Sequence, residues 1–276
     1  MKTILVINDN SPEAIHAARF ALTIAQKEEA NILLANTCKS KKGTKQLVLV
    51  GFNYDKLGEY DQGGAHEKIV LLGNGLDNIN VTIEEIDISG MDETQLAEYI
   101  DSNQIWLIIK GMKNSRSVAI NNYGLNIHTV LNRVRCPLFI VPENWVIKNP
   151  ERLVYMADLR YCRLQIMRFL ANFASPFKAD VLLAHLSAKG LPHIEENYAC
   201  SIFNDEITCN VNYDRLFFNN IKERDLNVAV DVLINGMHND LLVMVNHRFH
   251  FEEIIGRYLT NALPPNITIP ILIFPY

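Results

Sequence analysis

The chain has 276 residues, of which 49% are apolar and 21% charged, the composition of a globular protein with ample core. Its net charge of -5 argues against general nucleic-acid binding, and no apolar run reaches the ~20 residues that a membrane-spanning helix needs. Five scattered cysteines without a CxxC pair favour a reducing cytoplasm over a disulfide framework.

The chain begins with an apolar strand, ILVIN at 4–8, which leads into a predicted helix over 11–29. Ser11 is a favourable N-cap residue, and Pro12 suits the first helical position. A second apolar run, ANILLANT at 30–37, predicts another strand. Short, continuous, β-branched runs of this kind are typical of strands buried on both faces of a parallel sheet.

The next segment, 39–78, is long and rich in glycine. We expect it to contain one helix around AHEKIVLLGN at 65–74 and a poorly ordered excursion. After it, DETQLAEYIDSN at 92–103 predicts a helix and IWLII at 105–109 a strand. LFIVP at 138–142 predicts the last strand of this half.

The second half repeats the pattern of the first. Asp9, at the end of the first strand, and Asp158, at the end of RLVYMAD, are 149 residues apart. ANILLANT recurs at the same spacing as ADVLLAHL, and CPLFIVP recurs 133 residues later as IPILIFP. We therefore predict two homologous domains, 1–143 and 151–276, joined by WVIKNP. Each is expected to be a doubly wound, Rossmann-like α/β domain with a five-stranded parallel sheet.

The segment KGMKNSRSVAINNYGLN at 110–126 lies between a strand and a helix-like run, an arrangement that many proteins use to hold phosphate. Together with the first strand–helix–strand unit and CPLFIVP, it resembles the universal stress protein family, here as a tandem of two domains. The resemblance implies that ATP or a related adenine nucleotide, which many members bind, would lie beyond the carboxyl ends of the strands. It also implies that Asp9 and Asp158 lie near the position of the nucleoside.

The phosphate loop of nucleotide-binding members has a glycine, two residues, a second glycine, nine residues, a third glycine and then Ser or Thr. Glycine is needed there because backbone N–H groups must approach phosphate closely. In the first half, Gly111 and Gly124 fit the first and third glycines, whereas Asn114 replaces the second and Leu125 replaces the hydroxyl residue. The candidate cofactor-binding residues are therefore Asp9, Gly111, Asn114 and Gly124.

Two interpretations of this loop stay open. Lys113 and Arg116 offer charge that would compensate for lost donors, so that weak binding of ATP or AMP is retained. Alternatively, the loop only turns a strand into a helix. Each lost donor removes about 1 kcal/mol or more, so two losses weaken phosphate binding about tenfold or more.

The second half departs further from the family pattern. Asn246 replaces the first glycine and Phe249 the second, and Arg257 follows Gly256, the nearest counterpart of the third. Phenylalanine side chains would fill space that a triphosphate needs. We predict that this half cannot hold ATP in the family's manner, and that Asp158 serves instead as an N-cap or loop-tethering carboxylate.

The densest group of titratable side chains comprises His247, His250, Glu252 and Glu253, which His185 could approach from a neighbouring strand end. Two histidines three residues apart can bind a metal when they share a helix face, but we favour a polar loop with a helix cap. No nucleophile elbow, P-loop or dinucleotide motif is present in the sequence, so we predict that the chain is not an enzyme.

Universal stress proteins commonly pair through their last strands, and LFIVP and ILIFP resemble those strands. We expect the two domains to form a pseudo-dimer within the chain, because pairing would protect two open sheet edges; a homodimer of whole chains stays open. The expected function is a cytoplasmic, non-enzymatic stress-response module that acts through an unidentified protein partner, with no cofactor or weak ATP or AMP binding. The alternative is an adenine-nucleotide sensor that binds through the first domain only. Neither nucleic acid nor membrane is an expected partner.

Overall fold

The computed structural model describes residues 1–38, 81–113, 125–259 and 262–276, and the backbone of two short strands at 45–48 and 67–70. The elements of the first half are β1 (Thr3–Asn8), α1 (Pro12–Glu28), β2 (Asn31–Asn36), β3 (Lys45–Val48), β4 (Glu67–Val70), β5 (Ile83–Asp87), α2 (Glu93–Ser102), β6 (Leu107–Met112), α3 (Ile127–Leu131) and β7 (Leu138–Pro142). The elements of the second half are β8 (Arg152–Ala157), α4 (Leu164–Ala174), β9 (Asp180–Leu186), α5 (Glu196–Ser201), β10 (Leu216–Ile221), α6 (Leu226–Asp231), β11 (Leu241–Val245), α7 (Phe249–Ile254) and β12 (Ile271–Phe274).

Ten of these strands form one sheet, in the order β10-β9-β8-β11-β12-β7-β6-β1-β2-β5. Every neighbouring pair is parallel except β12 and β7, which run antiparallel with Leu272 opposite Phe139. Within each half the first strand lies in the middle of five, and the strand order is the same. This arrangement confirms the doubly wound α/β fold predicted from the sequence.

Helix α1 begins where its capping residues predict. The Oγ of Ser11 accepts a hydrogen bond from the backbone N–H of Ala14 at 3.2 Å, and Pro12 is the first helical residue. The helix ends before Glu29, which adopts a left-handed conformation with φ of 51°. With 17 residues, α1 is shorter than the ~20 residues of a membrane-spanning helix. Across the described ranges, no helix has the length and apolar character needed to cross a membrane.

The two halves share an aromatic core where they meet. Phe139 on β7 is fully buried, and its ring centroid lies 5.5 Å from that of Phe20 on α1 and 5.7 Å from that of Phe173 on α4. Trp106, just before β6, stacks on Phe169 of α4 with ring centroids 5.7 Å apart. Large aromatic side chains contribute strongly to buried interfaces, so these contacts reinforce the pairing of β7 with β12.

The prediction of a helix around 65–74 is wrong. Glu67–Val70 is strand β4, which pairs in parallel with β3 as a separate two-stranded sheet. Ile69 and Val70 are β-branched, and such side chains fit a strand better than a helix. The rest of the excursion expected over 39–78 lies outside the described residues.

Candidate nucleotide site

An open α/β sheet binds ligands at the carboxyl ends of its strands, where the strand order switches direction. In this sheet the switch lies between β1 and β6 in the first half and between β8 and β11 in the second. Asp9 follows β1 and Gly111 lies in β6, whereas Asp158 follows β8 and Asn246 follows β11. Each half therefore has one candidate position, and the two can be compared residue by residue.

The carboxylate of Asp9 is exposed at the end of β1. Its Oδ1 accepts a hydrogen bond from the backbone N–H of Ser11 at 3.0 Å. The adjacent Asn8 is buried, and its Nδ2 donates to Oδ1 of Asn36 on β2 at 2.7 Å. The strand end is thus fixed by Asn8, while Asp9 faces solvent where a ligand could reach it.

Gly111 is required by strand–helix packing. A Cβ at this position would lie 2.0 Å from the backbone oxygen of Glu13 in the first turn of α1, a contact that no side chain could make. The Nζ of Lys113 lies 3.4 Å from Oε1 of Glu13, so this cation has a partner within the protein. The residue that fits the first glycine of the phosphate loop therefore has a structural role that does not depend on phosphate.

The remaining residues of the first phosphate loop are only partly described. Asn114, Arg116 and Gly124 lie outside the described residues, and their roles stay predictions. Leu125, which replaces the hydroxyl residue, is half-buried against the hydrophobic core. The structure places Asp9 and Gly111 at the same edge of the sheet, because β1 and β6 pair in parallel with Ile7 opposite Lys110.

Asp158 is tied to the protein's own loops. Its side chain is 2% exposed, and its two oxygens accept hydrogen bonds from Nε and Nη2 of Arg160 at 2.8 and 2.7 Å. The backbone N–H groups of Ala188 and Arg160 donate to the same carboxylate at 2.8 and 3.1 Å. Burial alone would raise the pKa of Asp158, but these donors outweigh it and hold the pKa below its usual value. These hydrogen bonds show that Asp158 tethers loops, as the sequence predicted.

Substituting Asp158 by asparagine is expected to lower the free energy of unfolding by about 2 kcal/mol, because the guanidinium of Arg160 and two backbone N–H groups lose a charged acceptor. Asp9→Asn is the matched control and should change the stability by less than about 0.5 kcal/mol, since Asp9 is exposed. Urea unfolding at neutral pH measures both. Equal effects of the two substitutions would contradict the difference between the two strand ends.

The space beyond β8 and β11 is small. Side chains from the β8, β9 and β11 ends and from α7 enclose a cavity of about 90 Å³, lined among others by Tyr155, Asp158, Arg248, Phe249 and His250. A cavity that holds one benzene molecule has about 150 Å³, so a nucleoside does not fit here without rearrangement. Phenylalanine and histidine side chains thus occupy the place that the resemblance gives to a nucleotide.

The histidines near this cavity face different partners. His250 is buried with Nε2 3.0 Å from the backbone oxygen of Leu186, and His185 is buried with Nδ1 accepting the N–H of Leu159 at 3.0 Å. Burial lowers the pKa of both imidazoles. His247 is exposed, with Nε2 2.9 Å from Oδ1 of Asn132. Within the part of the chain that is described, no three His, Cys, Asp or Glu side chains are grouped so that they could hold a metal.

Arg160 is a site residue that the family pattern did not predict. It lies two positions after Asp158, and this spacing lets its planar guanidinium reach both carboxylate oxygens. The first half has Ser11 at the corresponding position, which offers only its backbone N–H to Asp9. The signal in the sequence was a cation two residues after the strand-end aspartate, because in the second half this cation pairs with the carboxylate that a ligand would otherwise contact.

An open, mostly parallel sheet with the strand-end aspartates at its switch points defines a Rossmann-like α/β protein. A model of the universal stress protein family matches residues 1–142, and the chain belongs to that family. The resemblance found in the sequence is therefore confirmed.

Solved structures agree on the fold. A universal stress protein from Archaeoglobus fulgidus DSM 4304 is 10% identical with a TM-score of 0.58, and the match covers 99% of this chain and 98% of that chain. A functionally unknown protein from Pseudomonas aeruginosa PAO1 is 14% identical with a TM-score of 0.50, covering 100% of this chain and 92% of that chain. No curated protein matches the chain. At these identities, the solved structures show the fold alone.

Proposed function

We propose that this chain is a stress-response module that acts by binding another protein, without catalysing a reaction and without a working ATP site in either half. The bonds from Arg160 to Asp158 carry this proposal, because they occupy the carboxylate that the family places near the nucleoside. The replacements by Asn114 and Leu125 support it for the first half. The proposed location is the cytoplasm, which suits five cysteines that are all free thiols.

A second candidate function is sensing of an adenine nucleotide through the first half alone. The exposed carboxylate of Asp9 favours it, since this group lacks the burial of Asp158 and has no arginine partner among the described residues. The nucleoside would contact Asp9, and its phosphates would extend towards the segment between Gly111 and Leu125. This candidate needs only one working site in the chain.

Isothermal titration of the purified chain with ATP, ADP and AMP in the presence of Mg²⁺ tests the proposal. We expect no saturable binding below millimolar nucleotide, because too few phosphate donors are left in either half. Saturable submillimolar binding that Asp9→Asn weakens and Asp158→Asn leaves unchanged would overturn the proposal and establish the second candidate. Gly111 is unsuitable for this test, because any side chain there would collide with α1.

A further inference from the structure

Two arginines and two tyrosines lie together beside the ends of β8 and β12, and we call them the arginine–tyrosine surface: Tyr161, Arg163, Arg248 and Tyr276. The tyrosines are 48% and 66% exposed. The guanidinium of Arg248 lies 5.2 Å from the ring centroid of Tyr161 and 4.8 Å from that of Tyr276. The guanidinium of Arg163 lies 5.3 Å from the Tyr276 ring, and its Nη1 donates to the backbone oxygen of Pro275 at 3.3 Å. Both cations are therefore held against aromatic rings.

Neither guanidinium has a carboxylate partner among the described residues, where no Asp or Glu oxygen lies within 4.0 Å of Arg163 or Arg248. Asp158 lines the cavity next to Arg248, but Arg160 already binds both of its oxygens. Two guanidiniums that have no anionic partner within the described part of the chain form a positive patch on a protein whose net charge is -5. Such a patch attracts anionic groups of a partner.

An apolar groove adjoins this patch. It has a volume of about 380 Å³ and lies between the two halves, lined by Pro137 from the first half and by Phe169 and Phe274 from the second. Arg163 and the exposed Arg135 also line it. Sites of this size with apolar walls and a few charged groups are typical of ligand binding. The groove has room for one large apolar side chain beside the cations.

We propose that the arginine–tyrosine surface binds an acidic peptide segment of a partner protein. The carboxylates of the peptide lie against Arg163 and Arg248, and one apolar side chain enters the groove. This inference rests on the proposed function and names the surface through which the protein interaction occurs. Tyrosine and arginine contribute most of the energy at many protein interfaces, and cations already held by aromatic rings lose less freedom on binding.

The experiment measures fluorescence anisotropy of a fluorescein-labelled peptide of alternating Asp and Phe residues, titrated with the full chain. We expect saturable binding that weakens at least about tenfold in the double variant Arg163→Gln/Arg248→Gln. The matched control Arg19→Gln/Lys27→Gln removes the same charge from exposed positions of α1 and should change the affinity less than about twofold. Absence of saturable binding, or equal weakening by both double variants, overturns the inference.

Tyr276 supplies a second test, because its ring contacts both guanidiniums. Tyr276→Ala should weaken peptide binding about as much as loss of one arginine, whereas Tyr276→Phe should retain it. Thermal unfolding of each variant shows whether it is folded. An unchanged affinity in folded Tyr276→Ala overturns the proposed geometry, as does tighter binding of single-stranded DNA than of the peptide.

Titration with ATP in the absence of peptide separates this inference from the proposed function. If ATP binds the chain and the peptide still requires Arg163 and Arg248, the proposed function fails and the binding surface stands. If neither ATP nor the peptide binds, the surface is overturned and the absence of nucleotide binding is upheld.

Discussion

Phe139→Ala is expected to lower the free energy of unfolding by about 4 kcal/mol, which is twice the effect expected of Asp158→Asn. Phe139 is fully buried on β7, and its ring contacts Phe20 of the first half and Phe173 of the second. Truncation leaves a cavity at the place where β7 pairs with β12, and both aromatic contacts are lost. Because the two halves share this core, we expect the whole chain to unfold in one transition.

Urea unfolding followed by fluorescence and by circular dichroism measures this effect. Phe217→Ala is the matched control, since Phe217 lies on the edge strand β10 and is 49% exposed. Phe217→Ala should lower the free energy of unfolding by less than about 1 kcal/mol. Two separate transitions in the unmodified chain, with only one shifted by Phe139→Ala, would show that the halves unfold independently and would contradict the shared core.

Acidification is expected to destabilise the chain chiefly through His250. Burial lowers the pKa of His250 from 6.5 to about 4, although the backbone oxygen of Leu186 and the charge of Asp158 favour the protonated form. The unfolded chain therefore binds the proton at a higher pH than the folded chain does. The contribution of neutral His250 is fully present above pH 6.5 and is lost as the pH falls from 6.5 to about 4. The difference between the two pKa values corresponds to about 3 kcal/mol in the free energy of unfolding.

His250→Gln isolates this contribution, because glutamine keeps an N–H donor for Leu186 but does not titrate. Between pH 7 and pH 4 the variant should lose about 3 kcal/mol less stability than the unmodified chain. His193→Gln, at an exposed position, should follow the unmodified chain. Burial lowers the pKa of His16, His128 and His185 as well, so both chains should retain some acid sensitivity. Parallel stability curves for His250→Gln and the unmodified chain would contradict the assignment.

The two halves differ at the aspartates Asp9 and Asp158. Both residues end the first strand of their half, so the backbone gives both the same position in the fold. Asp9 faces solvent, whereas Asp158 is enclosed by Arg160 and two backbone N–H groups. Together, the side chain of Arg160 and the N–H of Ala188 make Asp158 a carboxylate that holds two loops together, whereas a ligand could reach Asp9.

Local sequence patterns predicted most of the fold. Ser11 and Pro12 marked the start of α1, and continuous apolar runs marked buried strands such as β1 and β2, because capping and burial on both faces need particular residue types in a short segment. The pattern failed at Glu67–Val70, where a short apolar run with two β-branched residues fits a helix or a strand. For such a short run, the pairing partners elsewhere in the chain decide whether it forms a helix or a strand.

The sequence by itself determined the α/β class, the family and the loss of the glycine and hydroxyl residues that bind phosphate, since these depend on residue identity at fixed spacing. Only the tertiary structure decided that the N–H of Ala188 helps to enclose Asp158, that Gly111 is needed to admit α1, and that Arg163 and Arg248 meet at one tyrosine ring. These facts depend on distances between elements that are far apart in the chain, and a local sequence pattern does not predict those distances.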